Sequence, residues 1–147
     1  MDVNALSKNI KLSAKGYWTT NAHETISYTE DGHRLIAESE DKSFWFQHRL
    51  ECLTEVIRQY PVTEIMDVGG GNGQIAKFLQ DQKVDAVLLE PMINGVLNAQ
   101  NKGVKKIIWG SLESVQPERD AVPAVGLFDV LEHIEKDTEV LSQLYRT

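Results

Sequence analysis

Glu64-Ile65-Met66-Asp67-Val68-Gly69-Gly70-Gly71-Asn72-Gly73-Gln74-Ile75-Ala76-Lys77-Phe78-Leu79 reads as an apolar run, an acid, a glycine loop and the start of a helix. Ile65, Met66 and Val68 make the run nearly continuous, as in a strand buried on both faces of a sheet, and Pro61 stands just upstream. Backbone without Cβ at Gly69, Gly71 and Gly73 can turn tightly and approach a ligand closely, and Gln74 to Leu79 then winds into a helix. Strand, glycine loop and helix in that order form a nucleotide-type cradle.

Glycine clusters also mark ordinary turns, so the flanks decide. Downstream, Val84-Asp85-Ala86-Val87-Leu88-Leu89-Glu90-Pro91 is a second largely apolar strand ending in an acid, about 20 residues after the loop, where a carboxylate can hold a ribose diol. Gly71-Asn72-Gly73-Gln74-Ile75-Ala76 also fits the Gly-x-Gly-x-x-Ala form of a dinucleotide fingerprint, which keeps an NAD(P) or FAD protein open as an alternative. A P-loop is excluded, because no Gly-Lys-Ser/Thr follows the glycines.

Further out, strands and helices alternate. Ser43 caps a helix to about Gln59, with Phe46, Leu50, Leu53, Ile57 and Tyr60 along one face and Pro61 ending it. Phe44 packs with Phe46 onto the sheet in the plainest reading, and Cys52 on the same helix reads as buried packing. Met92 to Lys102 is a helix stopped by Gly103, Lys105 to Trp109 a third strand, and Ala124 to Phe128 a short fourth. Gly110 to Pro123 is polar with two prolines and reads as irregular. Thr138 to Arg146 is a helix with Val140, Leu141, Leu144 and Tyr145 inward. Such alternation gives an α/β fold with a parallel sheet. Upstream, Met1 to Lys15 reads as an arm or weak helix, and Thr25 to Ile36 as a hairpin turning at Asp31-Gly32, unless His33 to Glu40 begins a helix instead. Residues 1–42 are thus expected as an N-terminal arm, with a hairpin or lid, and 43–147 as a ligand-binding domain.

Composition narrows the partners. A chain of 147 residues favours one domain, and the net charge of -7 argues against broad phosphate-backbone binding and for a small molecule. A single cysteine excludes an internal disulfide, no apolar run approaches the length that spans a bilayer, and Met1 to Ile10 lacks the apolar centre of a secretory signal. A cytoplasmic protein is expected. No side-chain cluster with metal-ligand spacing is evident.

These residues resemble the class I S-adenosylmethionine-dependent methyltransferases. Asp67-Val68-Gly69-Gly70-Gly71-Asn72-Gly73 is similar to that family's acid and Gly-x-Gly-x-Gly loop, Glu90 stands at its ribose acid, Gly110-Ser111-Leu112-Glu113 looks like its adenine loop, and Phe128-Asp129-Val130-Leu131-Glu132-His133-Ile134 resembles its fourth-strand motif. The resemblance implies S-adenosyl-L-methionine as cofactor, held at the carboxyl ends of strands ordered 3-2-1-4. Gly69, Gly70, Gly71 and Gly73 would hold its amino-acid end, Asp67 the ammonium, and Glu90 the ribose. Pro91, Met92 and Leu112 would border the adenine, with Ser111 and Glu113 near its amino group. Glu40, Phe44, Trp45, Phe46 and Arg49 resemble an acid, aromatic and arginine cluster of some subfamilies, so Arg49 would meet the cofactor's carboxylate. Asp129 joins this set, and His133 is the candidate base for a hydroxyl or amine acceptor.

The resemblance also implies seven strands with helices on both faces, of which strands 1–4 fall within this chain. A fragment carrying the cofactor half, a homodimer paired along the exposed edge of strand 4, and a non-catalytic partner subunit are the outcomes that follow.

Overall fold

The computed structural model describes residues 1–20 and 43–147. The expected hairpin at Thr25 to Ile36 and its reading as a lid, with Glu40, lie outside those residues.

Four parallel strands form the centre: β3 (Glu64–Val68), β4 (Asp85–Glu90), β5 (Ile107–Trp109) and β6 (Val125–Gly126). Their order, β5-β4-β3-β6, is the 3-2-1-4 arrangement expected, with the reversal between β3 and β6. Among the described residues the sheet has six strands, not four. Residues 1–20 supply α1 (Val3–Leu6), β1 (Lys11–Leu12) and β2 (Trp18–Thr19). β2 runs parallel to β5 with Trp18 opposite Ile108, and β1 closes back on β2 antiparallel. Two-residue strands have no hydrophobic period to read, so an arm was the natural expectation for a segment that extends the sheet edge.

Alternation along the strands divides the core between the two faces. Met66, Val68, Val87, Leu89 and Ile108 pack with Val3, Leu6, Leu112, Val115 and Val140, under α1, α5 (Leu112–Val115) and α6 (Asp137–Leu144). Ile65, Ala86, Leu88 and Ile107 face the other way, onto α2 (Phe44–Gln59), α3 (Gln74–Asp81) and α4 (Ile93–Lys102). Leu79, Leu88, Leu89, Ile107 and Ile108 are at most 1 % exposed, each worth about 1.5–3 kcal/mol of burial. The fold is an α/β Rossmann-like sheet with helices on both faces.

Several helix expectations change. Ser43 stands at the N-cap of α2 without a side-chain cap bond, and only Leu53 of its inner face is buried, with Leu50 and Ile57 packed at the margin. Phe44, the first residue of α2, and Tyr60, its C-cap, are largely exposed. Cys52 is exposed as well, on the turn beside the buried Leu53. On α6, Val140 is buried while Leu141 and Tyr145 point outward, since the helix reaches the core by one narrow stripe. The segment expected to be irregular contains α5, whose Ser111 and Ser114 side chains cap each other's backbone amides.

Candidate ligand-binding site

β3 and β4 are paired with Asp67 opposite Leu88. Asp67 therefore shares a face with Ile65, and Glu90 shares that same face with Ala86 and Leu88, so both acids project to the side covered by α3 and α4. Between them runs the glycine loop. Its start is fixed by the Gly69 N–H donating to Leu89 O (2.8 Å), and its turn by the Gly73 N–H donating to Gly70 O (3.0 Å).

Glu90 is 3 % exposed and held by backbone: the Gly71 N–H donates to Oε2 and the Met92 N–H to Oε1, both at 2.8 Å. Burial pushes its carboxyl up to about 7, with those two amides pulling the other way. Each carboxylate oxygen retains a second acceptor site.

Asp67 is fully buried, and neither of its oxygens has a hydrogen-bond partner among the described residues. Burial first, then the charge of Glu90, raise its carboxyl to about 7; the Arg49 charge opposes this, as does the Ala76 N–H, without hydrogen-bond geometry. Gly70 lies directly on it. A Cβ there would stand 2.3 Å from Asp67 Oδ2 and 2.6 Å from Leu88 Cδ1, so only glycine lets the loop cross over the acid.

A cleft of about 660 Å³ opens above the loop at the carboxyl ends of the strands. Among the sequence-derived residues it gathers Arg49, Gly69, Gly70, Gly71, Glu90, Pro91, Met92, Ser111, Leu112, Glu113, Asp129 and His133. Two do not line it. Gly73 faces inward, where a Cβ would meet Ala99 Cβ at 2.7 Å and Val104 Cγ2 at 2.9 Å, so it seats the start of α3 against α4. Asp67 lies one layer beneath the cleft, behind Gly70. Arg49 of α2 spans to Asp129, with Nη1 2.5 Å from Oδ2, so an ion pair within the chain occupies the guanidinium expected to serve a ligand. Asp129 adopts φ +55, a backbone region that Asp tolerates better than most residues. Ser111 Oγ accepts from the Ser114 N–H (3.2 Å) as the α5 cap, and Glu113 stands in the first turn of that helix.

Sequence reasoning missed Gly95, in the first turns of α4. A Cβ there would meet Gly71 O at 2.8 Å and Glu90 Cγ at 2.9 Å, so the helix approaches the loop through it. Its signal was present, because glycine inside a helix costs about 1 kcal/mol relative to alanine and asks for a reason. Asn72 was also passed over; it is buried at the cleft wall and accepts from Asn98 Nδ2 at 2.9 Å. Among the described residues, no cluster of three or more His, Cys, Asp or Glu side chains could hold a metal ion, and no helix is long and apolar enough to cross a membrane.

No family model matches the chain, and no curated protein does. Among solved structures, it is similar to a provisionally assigned S-adenosyl-L-methionine-dependent methyltransferase from Methanococcus maripaludis, with a TM-score of 0.67 at 15% identity over 85% of this chain. The match covers 61% of that protein, so this chain spans less than two thirds of its length. At that identity the likeness shows the fold, and the fold is the one the motif order implied.

Proposed function

We propose that this chain binds S-adenosyl-L-methionine in the cleft above the glycine loop and supplies the cofactor-binding half of a methyltransferase acting on a small-molecule acceptor. One observation carries the choice of ligand: a buried carboxylate without a hydrogen-bond partner among the described residues stands directly behind the loop. A dinucleotide would bring its pyrophosphate to this loop, where Asp67 would repel it or have to stay protonated to tolerate it. An ammonium meets a counter-ion there instead.

The other residues fit the same ligand. Glu90, pre-set by two backbone amides, has one acceptor site left on each oxygen for the two ribose hydroxyls. Met92 and Leu112 offer apolar surface to the adenine, and Glu113 suits its amino group better than Ser111, whose hydroxyl is spent on the α5 cap. Arg49 serves a carboxylate once Asp129 yields it. The sulfonium supplies an activated methyl group, so alignment of donor and acceptor supplies much of the rate. His133, at the cleft wall, is the base where the acceptor needs one.

Calorimetry with S-adenosyl-L-methionine, S-adenosyl-L-homocysteine and NAD tests the reading. Both sulfur ligands should bind; tight NAD binding with no response to either would overturn it. Since the Methanococcus maripaludis protein continues beyond the matched region, binding without turnover by this chain would favour a cofactor-holding part that works with further segments or a partner.

A further inference from the structure

Asp67 and Glu90 share one face of the sheet and one glycine loop, yet they are treated differently. Glu90 receives two amide N–H donors, which stabilise its negative charge. Asp67 receives none and is fully buried, between Leu88 and Gly70. Two like charges in so little polarisable surroundings cannot both be ionised cheaply, and the acid without donors is the one that must hold the proton.

Resting on the function proposed above, we infer that Asp67 is the charge-selecting residue of the cleft: it is protonated in the free protein, and it gives that proton to solvent when a ligand places a cation over Gly70. The exchange balances as neutral acid plus cationic group giving carboxylate, bound cation and one released proton. No covalent bond to carbon is involved. Selection follows, because an ammonium gains a buried counter-ion while an anionic group gains only a neutral acid.

The surrounding charges agree with this direction. From α2, Arg49 acts on Asp67 and is itself paired with Asp129. From β4 comes Glu90, and across the cleft stand Glu113 on α5 and His133 in the turn after β6. α3 and α4 offer backbone and apolar atoms to this acid, including the Ala76 amide. The raised titration of Asp67, up to about 7, places the exchange at neutral pH.

Calorimetric titration of the full chain with S-adenosyl-L-methionine, in buffers of different ionisation enthalpy below, at and above neutrality, reads the protons released. The expected result is a release approaching one per ligand on the acid side and fading on the alkaline side, with affinity rising about tenfold per pH unit below the transition. Asp67→Asn should remove the larger part of the release and of the pH slope, leaving the part that belongs to Glu90, whose carboxyl is also raised to about 7, while His133→Gln should keep both in full. If the Asn variant does not fold, difference infrared spectra of the unaltered protein provide the readout: a buried carboxylic-acid band present without ligand and lost with it. Binding with no proton release, or a release that follows His133, overturns the inference and leaves the cofactor reading standing. Failure of both sulfur ligands to bind overturns the two together.

Discussion

Asp67 sets the ligand-free protein against itself. Its carboxyl lies near 3.8 in the unfolded chain and near 7 in the fold, so between those values the folded state binds more protons than the unfolded state. Stability should then fall as pH rises from about 4 to about 7 and level off above, by an amount on the order of 4 kcal/mol for this group alone. Asp67→Asn should leave the thermal midpoint near its starting value at acid pH and raise it at alkaline pH, as read by scanning calorimetry. A midpoint lowered by equal amounts at both ends would mean that the carboxyl has no such burden. Gly70→Ala works in the opposite sense, because the added carbon would lie on Asp67 Oδ2; about 1–3 kcal/mol of stability and the binding of S-adenosyl-L-methionine should go together. That Asp67 ends an apolar run and precedes three glycines is plain in the sequence. Its position one layer below the cleft is not, since depth depends on how Gly70 and Leu88 close over it.

At the level of elements, the cleft is assembled by contacts between pieces distant in sequence. Arg49 ties α2 to the segment after β6, but Asp129 is more than half exposed, so the pair itself contributes about 1 kcal/mol or less to stability. Its greater effect is electrostatic. Arg49→Met should shift the pH-dependent loss of stability to higher pH, because the cation that lowers the Asp67 carboxyl is gone; a profile left in place would separate Arg49 from Asp67. Helix α5 rests on its mutual Ser111–Ser114 cap, and Ser114→Ala should cost about 1 kcal/mol in urea unfolding while loosening the wall formed by Leu112. Strands β3 and β4 and helices α3 and α4 could be read from apolar runs, Gly103 and the glycine loop. The four-residue α5 could not, because its cap is Ser-x-x-Ser rather than the usual Ser-x-x-Glu, and two prolines, Pro117 and Pro123, follow it closely. Tyr60 and Tyr145 misled for a related reason: both fit a helical stripe, yet both are the exposed C-cap just past the last residue of their helix.

Across the whole molecule, the sheet order followed from the alternation of strands and helices, while the part that escaped reading was the edge. Val3 and Leu6 are almost fully buried against the face that carries Met66, Leu89 and Ile108, so residues 1–20 contribute to the main core as well as to the sheet. Leu6→Ala should lower unfolding free energy by about 2–5 kcal/mol in a denaturant titration, a loss suited to a core position and too large for an arm. Trp18 is registered against Ile108, which emerges from the ribosome about 90 residues later. At about 5–20 residues per second, β2 waits on the order of 5–20 s for the strand it joins, and Val3 and Leu6 meet Met66, Val68, Val87 and Leu89 before Ile108, Leu112, Val115 and Val140 complete their core. Residues 1–20 are made before the strands that hold them, and they take their place only as those strands arrive.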